Sequence, residues 1–311
     1  MMQRQKLIAD VHSTLRKAGF ATSDPKDLAH SGFDIVARRD STILVVKVIL
    51  NANSLDEAML ASMKSLAGAL DGSSLIVAVK SGEDAIEDGV SYSRAGIPLI
   101  SHSTLEDLLL EGVPPLVYAA SGGYYVNMDS ELLRKAREQG HSLGDLAEMG
   151  GVSRRTIKMY EDGMNAKVEV ALRLEEALGI ELILPGDPLN CPKSRESAAP
   201  REDFEGMARD IFSRLNKIGY SIMPMSRCPF DAVTKDSDVV IFTGIDRRRP
   251  GLEKRARAMA NLSRILGKHP VIFMDRMGEK VNLEGTPLIT CGELRKARDR
   301  KKVIELIEER Y

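Results

Sequence analysis

Cysteine is scarce. The 311 residues hold three, Cys191, Cys228 and Cys291, odd in number and far apart. That count and spacing fit neither a disulfide framework nor a zinc-ligand set, and leave ordinary thiols. No apolar run approaches the ~20 residues that span a bilayer. The first residues, MMQRQKLIADVHSTLRKAG, read as an amphipathic helix without the apolar block of a signal peptide, so a cytoplasmic protein with no membrane partner is expected. Neither sign of charge prevails: 44 Lys and Arg against 45 Asp and Glu give −1. No global field then draws nucleic acid or anionic lipid, and any attraction must come from local patches. Phosphate-binding glycine loops, nucleophile elbows and metal motifs are missing too. Gly122-Gly123 precede two tyrosines rather than a helix and read as a turn. The expectation is a chain without catalytic residues, metal ligands or cofactor, not an enzyme.

What is present describes a globular protein, 43% hydrophobic and 29% charged, long enough for two or three domains. The most informative stretch is 141–163, HSLGDLAEMGGVSRRTIKMYEDG. Two short helical patterns flank a Gly-Gly-Val turn, which is how a helix-turn-helix reads. Ser130 is placed as the cap of a preceding helix that buries Leu132, Leu133 and Ala136 and ends at Gly140. Ser142 caps the next helix, with Asp145 three residues on in capping-box spacing. Leu143, Leu146 and Ala147 form its inner face. Gly150-Gly151 are read as the turn, and Ser153 caps the third helix, RRTIKMYE.

In that third helix Ile157 and Tyr160 point inward with Val152. Arg154, Arg155, Lys158 and Met159 are left outward. Residues at the N-terminus of a recognition helix are those that reach base edges in the major groove of double-stranded DNA. Arginine pairs bidentately with guanine, while lysine more readily meets a phosphate. Ser142, Ser153 and Thr156 sit at helix starts, where free N–H groups and hydroxyls can position phosphates. A fourth helix, VEVALRLEEALG, packs back onto the trio, for a domain of four or five helices. Acidic residues outnumber basic ones across this segment, so the basic surface is focused and phosphate contacts should be few.

The two ends of the chain resemble each other. LIADVHSTLRKAGF precedes GFDIVARRDSTILVVKVI, and MARDIFSRLNKIGY precedes PFDAVTKDSDVVIFTGI. A helical stretch, a strand (SLIVAVK or PVIFMD) and a closing segment (GIPLISHSTLEDLL or GTPLITCGELRKA) follow in each case. Order and character agree over roughly 100 residues, the mark of a repeated unit. The apolar runs LVVKVI, SLIVAVK and VVIFTGI predict central strands covered on both faces. The expected organisation is α+β or α/β and multidomain. An N-terminal α/β unit spans 1–118, a connector 119–129, and a central all-α helix-turn-helix domain 130–184. A Pro/Ser-rich linker spans 185–202, and a C-terminal α/β unit 203–311 repeats the first.

The central segment resembles the lambda Cro/C1 type of helix-turn-helix. With its surroundings, GGYYVNMD through ALRLEEALG, nearly the whole chain resembles a family of archaeal transcriptional regulators of that type. The resemblance implies that Arg154, Arg155 and Lys158 hold recognition-helix positions, and that Ser142 and Ser153 are phosphate-contacting helix starts. The apolar Leu143, with Gly144 next, stands where many such proteins place a polar contact residue.

The α/β units resemble the restriction-endonuclease-like fold, in a degenerate form. Each carries Phe-Asp-x-Val, with Asp34 and Asp231. The resemblance implies a second acid in an acid-x-Lys pattern on the next strand, since carboxylates must hold Mg²⁺. The first unit has Val45-Val46-Lys47 there, and the second is aligned through Ile241-Phe242-Thr243. The missing ligands favour an inert scaffold over a nuclease. The basic stretches 247–264 and 295–302 could follow phosphates, but no aromatic residues are interleaved for stacking. The reading is a sequence-specific DNA-binding transcriptional regulator, acting as a homodimer on double-stranded DNA, with any effector left open. The alternatives are a divergent nuclease-fold enzyme targeted by its helix-turn-helix, or an antitoxin-like interaction protein.

Overall fold

The computed structural model describes residues 2–29, 31–190, 204–246, 251–276, 278 and 280–311. Helix α1 (Met2–Lys17) buries Ile8, Val11 and Leu15, spaced three and four apart. The chain closes it at Gly19, where the Phe20 amide returns to the Leu15 carbonyl at 3.0 Å. Strands β1 (Ala21–Thr22), β2 (Ile35–Arg39) and β3 (Thr42–Asn51) are antiparallel neighbours in that order. Residues 44–49 of β3 are buried without a break, as expected of a strand covered on both faces. Asp56 starts α2 (Glu57–Ala69) by accepting from the Met59 amide at 2.7 Å.

The middle of the chain continues with β4 (Ser73–Ser81), β5 (Asp84–Ala85), β6 (Val90–Arg94), β7 (Ile97–Ile100) and α3 (His102–Glu106). A hairpin of β8 (Val117–Ala120) and β9 (Gly123–Met128) leads into α4 (Ser130–Glu138), α5 (Leu143–Gly150) and α6 (Arg154–Glu161). β10 (Ala166–Lys167), α7 (Val168–Leu178) and β11 (Ile183–Leu184) close this part. β9 pairs with β8, β10 and β11, all antiparallel. Its Val126 and Met128 lie in one core with Leu133, Leu146, Ile157, Tyr160 and Leu174. The domain expected to be all-α is therefore four helices, α4–α7, sealed by strands. Within the stretch expected to connect, 119–129, Val126 and Met128 belong to its core. The helix cap is Asp129 rather than Ser130, and accepts from the Leu132 amide at 2.9 Å. The linker expected at 185–202 falls outside the described residues from 191 onward, and with it Cys191.

The C-terminal part runs α8 (Gly206–Ile218), β12 (Ser221–Pro224), β13 (Ala232–Lys235), β14 (Val240–Ile245), α9 (Leu252–Leu266) and β15 (His269–Met274). β16 (Asn282–Leu283), β17 (Thr286–Thr290), α10 (Cys291–Lys296) and α11 (Arg300–Glu308) complete it. The strand order is β12-β13-β14-β15-β17-β16. Alternation sorts the side chains. Ile241, Ile245, Val271, Phe273 and Ile289 face a core shared with α8, α10 and α11. Gly244 turns the other way, toward Ile272 and Met259 of α9.

The chain packs as two compact units. One comprises 1–48, 54–75 and 192–311, the other 49–53 and 76–191, so β3 and β4 are each divided between them. Inside the first unit the N- and C-terminal segments touch reciprocally. Ser62 of α2 donates to the Ser226 carbonyl at 2.6 Å, and Arg227 pairs with Asp56 at 2.8 Å. In return Arg38 of β2 donates to the Leu266 carbonyl of α9 at 2.8 Å, and the Asp24 amide reaches Asn261 at 3.4 Å. The short strands β1 and β12, absent from the sequence expectation, occupy matching places after α1 and α8.

Candidate nucleic-acid interface

Two adjacent caps build the helix-turn-helix. Ser142 Oγ accepts from the amides of Gly144 and Asp145 at 3.1 and 3.2 Å, and Asp145 accepts from the Ser142 amide at 2.6 Å. That reciprocal capping box is the one its spacing predicts. The Ser142 amide holds the Asp145 carboxyl below its usual range. The turn rests on one glycine, not two. Gly150 is the buried last residue of α5, where a β-carbon would stand 3.4 Å from Leu174 and Val170 of α7. Gly151 makes the turn, with φ +65°, and a β-carbon there would stand 2.5 Å from Arg173 Nη1. Ser153 Oγ then accepts from the Thr156 amide at 3.1 Å and starts α6. Ile157 and Tyr160 are buried and fix the inner face of α6.

The opposite face carries Arg154, Arg155, Lys158 and Met159, all exposed. Ser142 and Ser153 are exposed as well, and Thr156 is half-buried with its hydroxyl 2.9 Å from that of Ser153. Arg154, though exposed, also touches α5. Its guanidinium lies against the start of α5, where a β-carbon on Gly144 would be 3.1 Å from Nη2, and 3.2 Å from Ser142 Oγ. The structure thus brings Arg154, Ser142 and Gly144 together. Lys158 leans toward the helix C-terminus, 3.2 Å from Asp162 and 3.7 Å from Glu161.

Sequence reasoning missed what holds α6 in place at that end. The Glu161 carboxylate is buried. Arg137 of α4 pairs with it, and Arg134 donates to its carbonyl at 2.6 Å. The only trace in the sequence was a pair of arginines near the end of a helix already assigned an apolar face.

The nuclease-like positions have a different chemistry. Asp34 accepts from the Val48 amide at 2.9 Å and from Arg4 at 2.6 Å, and Lys47 stands 3.4 Å away. Burial pushes the Lys47 ammonium below its ordinary value, against the pull of Asp34. Asp231 accepts from the Ile245 amide at 2.7 Å and from Arg255. Arg255 also donates to the Ile245 carbonyl at 2.9 Å, as Arg4 does to that of Val48 at 3.0 Å. The strand registers correct the alignment used above. Asp34 bonds to Val46 as Asp231 bonds to Thr243, both at 2.9 Å, so Lys47 corresponds to Gly244 and not to Thr243. A β-carbon at Gly244 would press on Ile272 and Met259 at 3.0 and 3.1 Å, which leaves no room for a lysine stem. A divalent cation needs several oxygen ligands. Here each single carboxylate already meets guanidinium or ammonium, and no cluster of three metal-ligating side chains occurs among the described residues. The residues do not fit a Mg²⁺ site.

The other basic stretches are largely engaged or not described. Residues 247–250 lie outside the described residues. In the tail, Arg300 pairs with Asp236 at 3.4 Å and Lys302 with Glu305 at 3.0 Å. Cys228 and Cys291 are free thiols, and burial raises both above the ordinary thiol value. No helix among the described residues is long and apolar enough to cross a membrane.

Comparison with known proteins agrees with this geometry in two places. Residues 4–115 match the PD-(D/E)XK superfamily domain, and residues 133–184 match a helix-turn-helix model. A protein of Methanosarcina acetivorans named "Putative HTH-type transcriptional regulatory protein" is 38% identical, covering 99% of this chain and 98% of the relative. Proteins so named from Archaeoglobus fulgidus (37%, covering 98% and 97%) and Haloquadratum walsbyi (36%, covering 99% and 98%) are similar throughout. No solved structure matches the chain.

Proposed function

The chain belongs to that archaeal family of HTH-type transcriptional regulatory proteins, and from that premise we propose that it reads double-stranded DNA through α6 in the major groove. The observation that carries the reading is the exposed pair Arg154 and Arg155 on the first turn of α6, backed by buried Ile157 and Tyr160. In this reading Arg154, Arg155, Lys158 and Met159 meet base edges, and Ser142, Ser153 and Thr156 set the phosphates. The protein acts in the cytoplasm as a homodimer, its half-sites about one helical turn, ~34 Å, apart. Along the chain the order is α/β unit, helix-turn-helix domain, α/β unit.

The two α/β units arose by duplication and serve as an inert scaffold rather than a nuclease. Matching strand registers, matching amide contacts to Asp34 and Asp231, and the reciprocal packing of α2 and α9 support the first part. Neutralisation of Asp34 by Arg4 and Lys47, and of Asp231 by Arg255, supports the second. The match to the PD-(D/E)XK superfamily keeps a nuclease as the second reading. It is tested by incubating duplex and branched DNA with Mg²⁺ or Mn²⁺; cleavage that Asp34→Ala abolishes would establish it. The primary reading is tested by gel shift of the full chain on genomic fragments over a salt series. Selective, salt-sensitive retention is expected. Uniform weak binding to every fragment would favour an antitoxin-like interaction role instead.

A further inference from the structure

Between the β8–β9 hairpin and the helix-turn-helix lies a cavity of about 540 Å³. That volume falls within the ~300–1,000 Å³ of small-molecule sites. The hairpin contributes Tyr118 and Tyr125, whose rings are near-parallel at 23° with centroids 5.9 Å apart. The helix-turn-helix contributes Val152, Tyr160 and Met164, from the turn, from α6 and from the loop after it. Apolar and aromatic walls of this kind suit a flat aromatic ligand.

The polar groups at the lining favour one sign of charge. Among the described residues, the exposed Lys167 makes no ion pair and no carboxylate lines the cavity. The Tyr118 hydroxyl accepts from Asn165 Nδ2 at 2.9 Å, so its own proton remains to be donated. An ammonium and a phenolic O–H are donors, and their complement is an anionic acceptor.

We infer that this cavity binds a flat aromatic anion, and that occupancy alters DNA affinity because Tyr160 belongs to the recognition helix. The second clause rests on the proposed DNA reading; the first does not. Differential contact with α6 is what allows a ligand to shift the equilibrium of that helix.

The probe is 1-anilinonaphthalene-8-sulfonate, titrated by fluorescence into the full chain. One saturable site is expected, weakened about tenfold both by Lys167→Glu, which reverses the charge, and by Ala120→Phe, which fills the opening. The neutral analogue N-phenyl-1-naphthylamine should bind about tenfold more weakly. Far-UV circular dichroism checks that both variants fold. Absence of a saturable site, or binding indifferent to both substitutions, overturns the assignment. At probe saturation the affinity of the full chain for duplex DNA should change at least about threefold, and not in the variants. A filled site with unchanged DNA affinity overturns the regulatory clause. Should the chain bind no duplex at all, the DNA reading fails, while the fluorescence titration still decides the cavity.

Discussion

Arg154 lies over Gly144. A β-carbon at position 144 would stand 3.1 Å from Arg154 Nη2 and 3.2 Å from Nε. The glycine next to Leu143 on α5 leaves the space that an arginine of α6 uses. A methyl group there must move the guanidinium by a few tenths of an ångström. Gly144→Ala should therefore leave stability within about 1 kcal/mol, since alanine also favours the helix. It should lower specific DNA affinity about tenfold. The double substitution with Arg154→Ala should cost little more than Arg154→Ala alone. Additive losses in a binding cycle would separate the two residues.

Arg155 and Lys158 should fail differently. Arg155→Ala is expected to cost about 1–3 kcal/mol at one base position and to relax preference there. Lys158→Ala should weaken binding evenly across sequences and reduce the salt slope by about one. The acidic neighbours of Lys158 temper that loss. Competition assays against base-substituted duplexes distinguish the two patterns; equal losses on specific and random DNA for Arg155→Ala contradict its role.

Glu161 is a buried carboxylate at the far end of α6, held by Arg137. Removing Arg137 takes away the nearest cation of a buried carboxylate and leaves only Lys158, 3.7 Å off. Arg137→Ala should lower the free energy of opening of α4 and α6 in amide hydrogen exchange. Unchanged protection would show that Arg134 alone secures the helix.

Asp34 should prove structural. Asp34→Asn leaves Arg4 and buried Lys47 without their carboxylate, and should destabilise by about 3 kcal/mol. Adding Lys47→Met should recover most of the loss in denaturant unfolding. Mg²⁺ at millimolar concentration should leave Tm unchanged, because a ligand that binds the folded state would raise it.

The ion pair of Glu293 with Arg310 predicts an acid limb. Its hydrogen bond to Arg310 lowers the Glu293 carboxyl from 4.5 to about 2. A folded value below the unfolded one gives stability that is whole above pH 4.5 and lost as pH falls through about 2. Glu293→Gln should flatten Tm against pH in that window. An unaltered slope would assign the limb to other carboxylates.

Much of this was legible because it is local. Ser142, Asp145 and Ser153 act within three residues, and Ile157 and Tyr160 declare their face by spacing. Where adjacent residues were equally able, the sequence could not choose: Asp129 and Ser130 are both good caps, and Gly150 and Gly151 both permit a turn. Strands of two to four residues, such as β1 and β12, carry no periodicity to detect. The partners of Asp34 and Asp231 were out of reach because Arg4 and Arg255 meet them only through the fold. A register one residue off then matched Lys47 to Thr243 in place of Gly244.

Selection of bound fragments from a random duplex pool, with wild type and an Arg154→Ala, Arg155→Ala double variant, tests the central claim most directly. The expected result for the wild type is one enriched motif of two related half-sites about ten base pairs apart, with guanine fixed at positions that the double variant no longer selects. No enrichment above the input pool, or the same motif from the double variant, would contradict it.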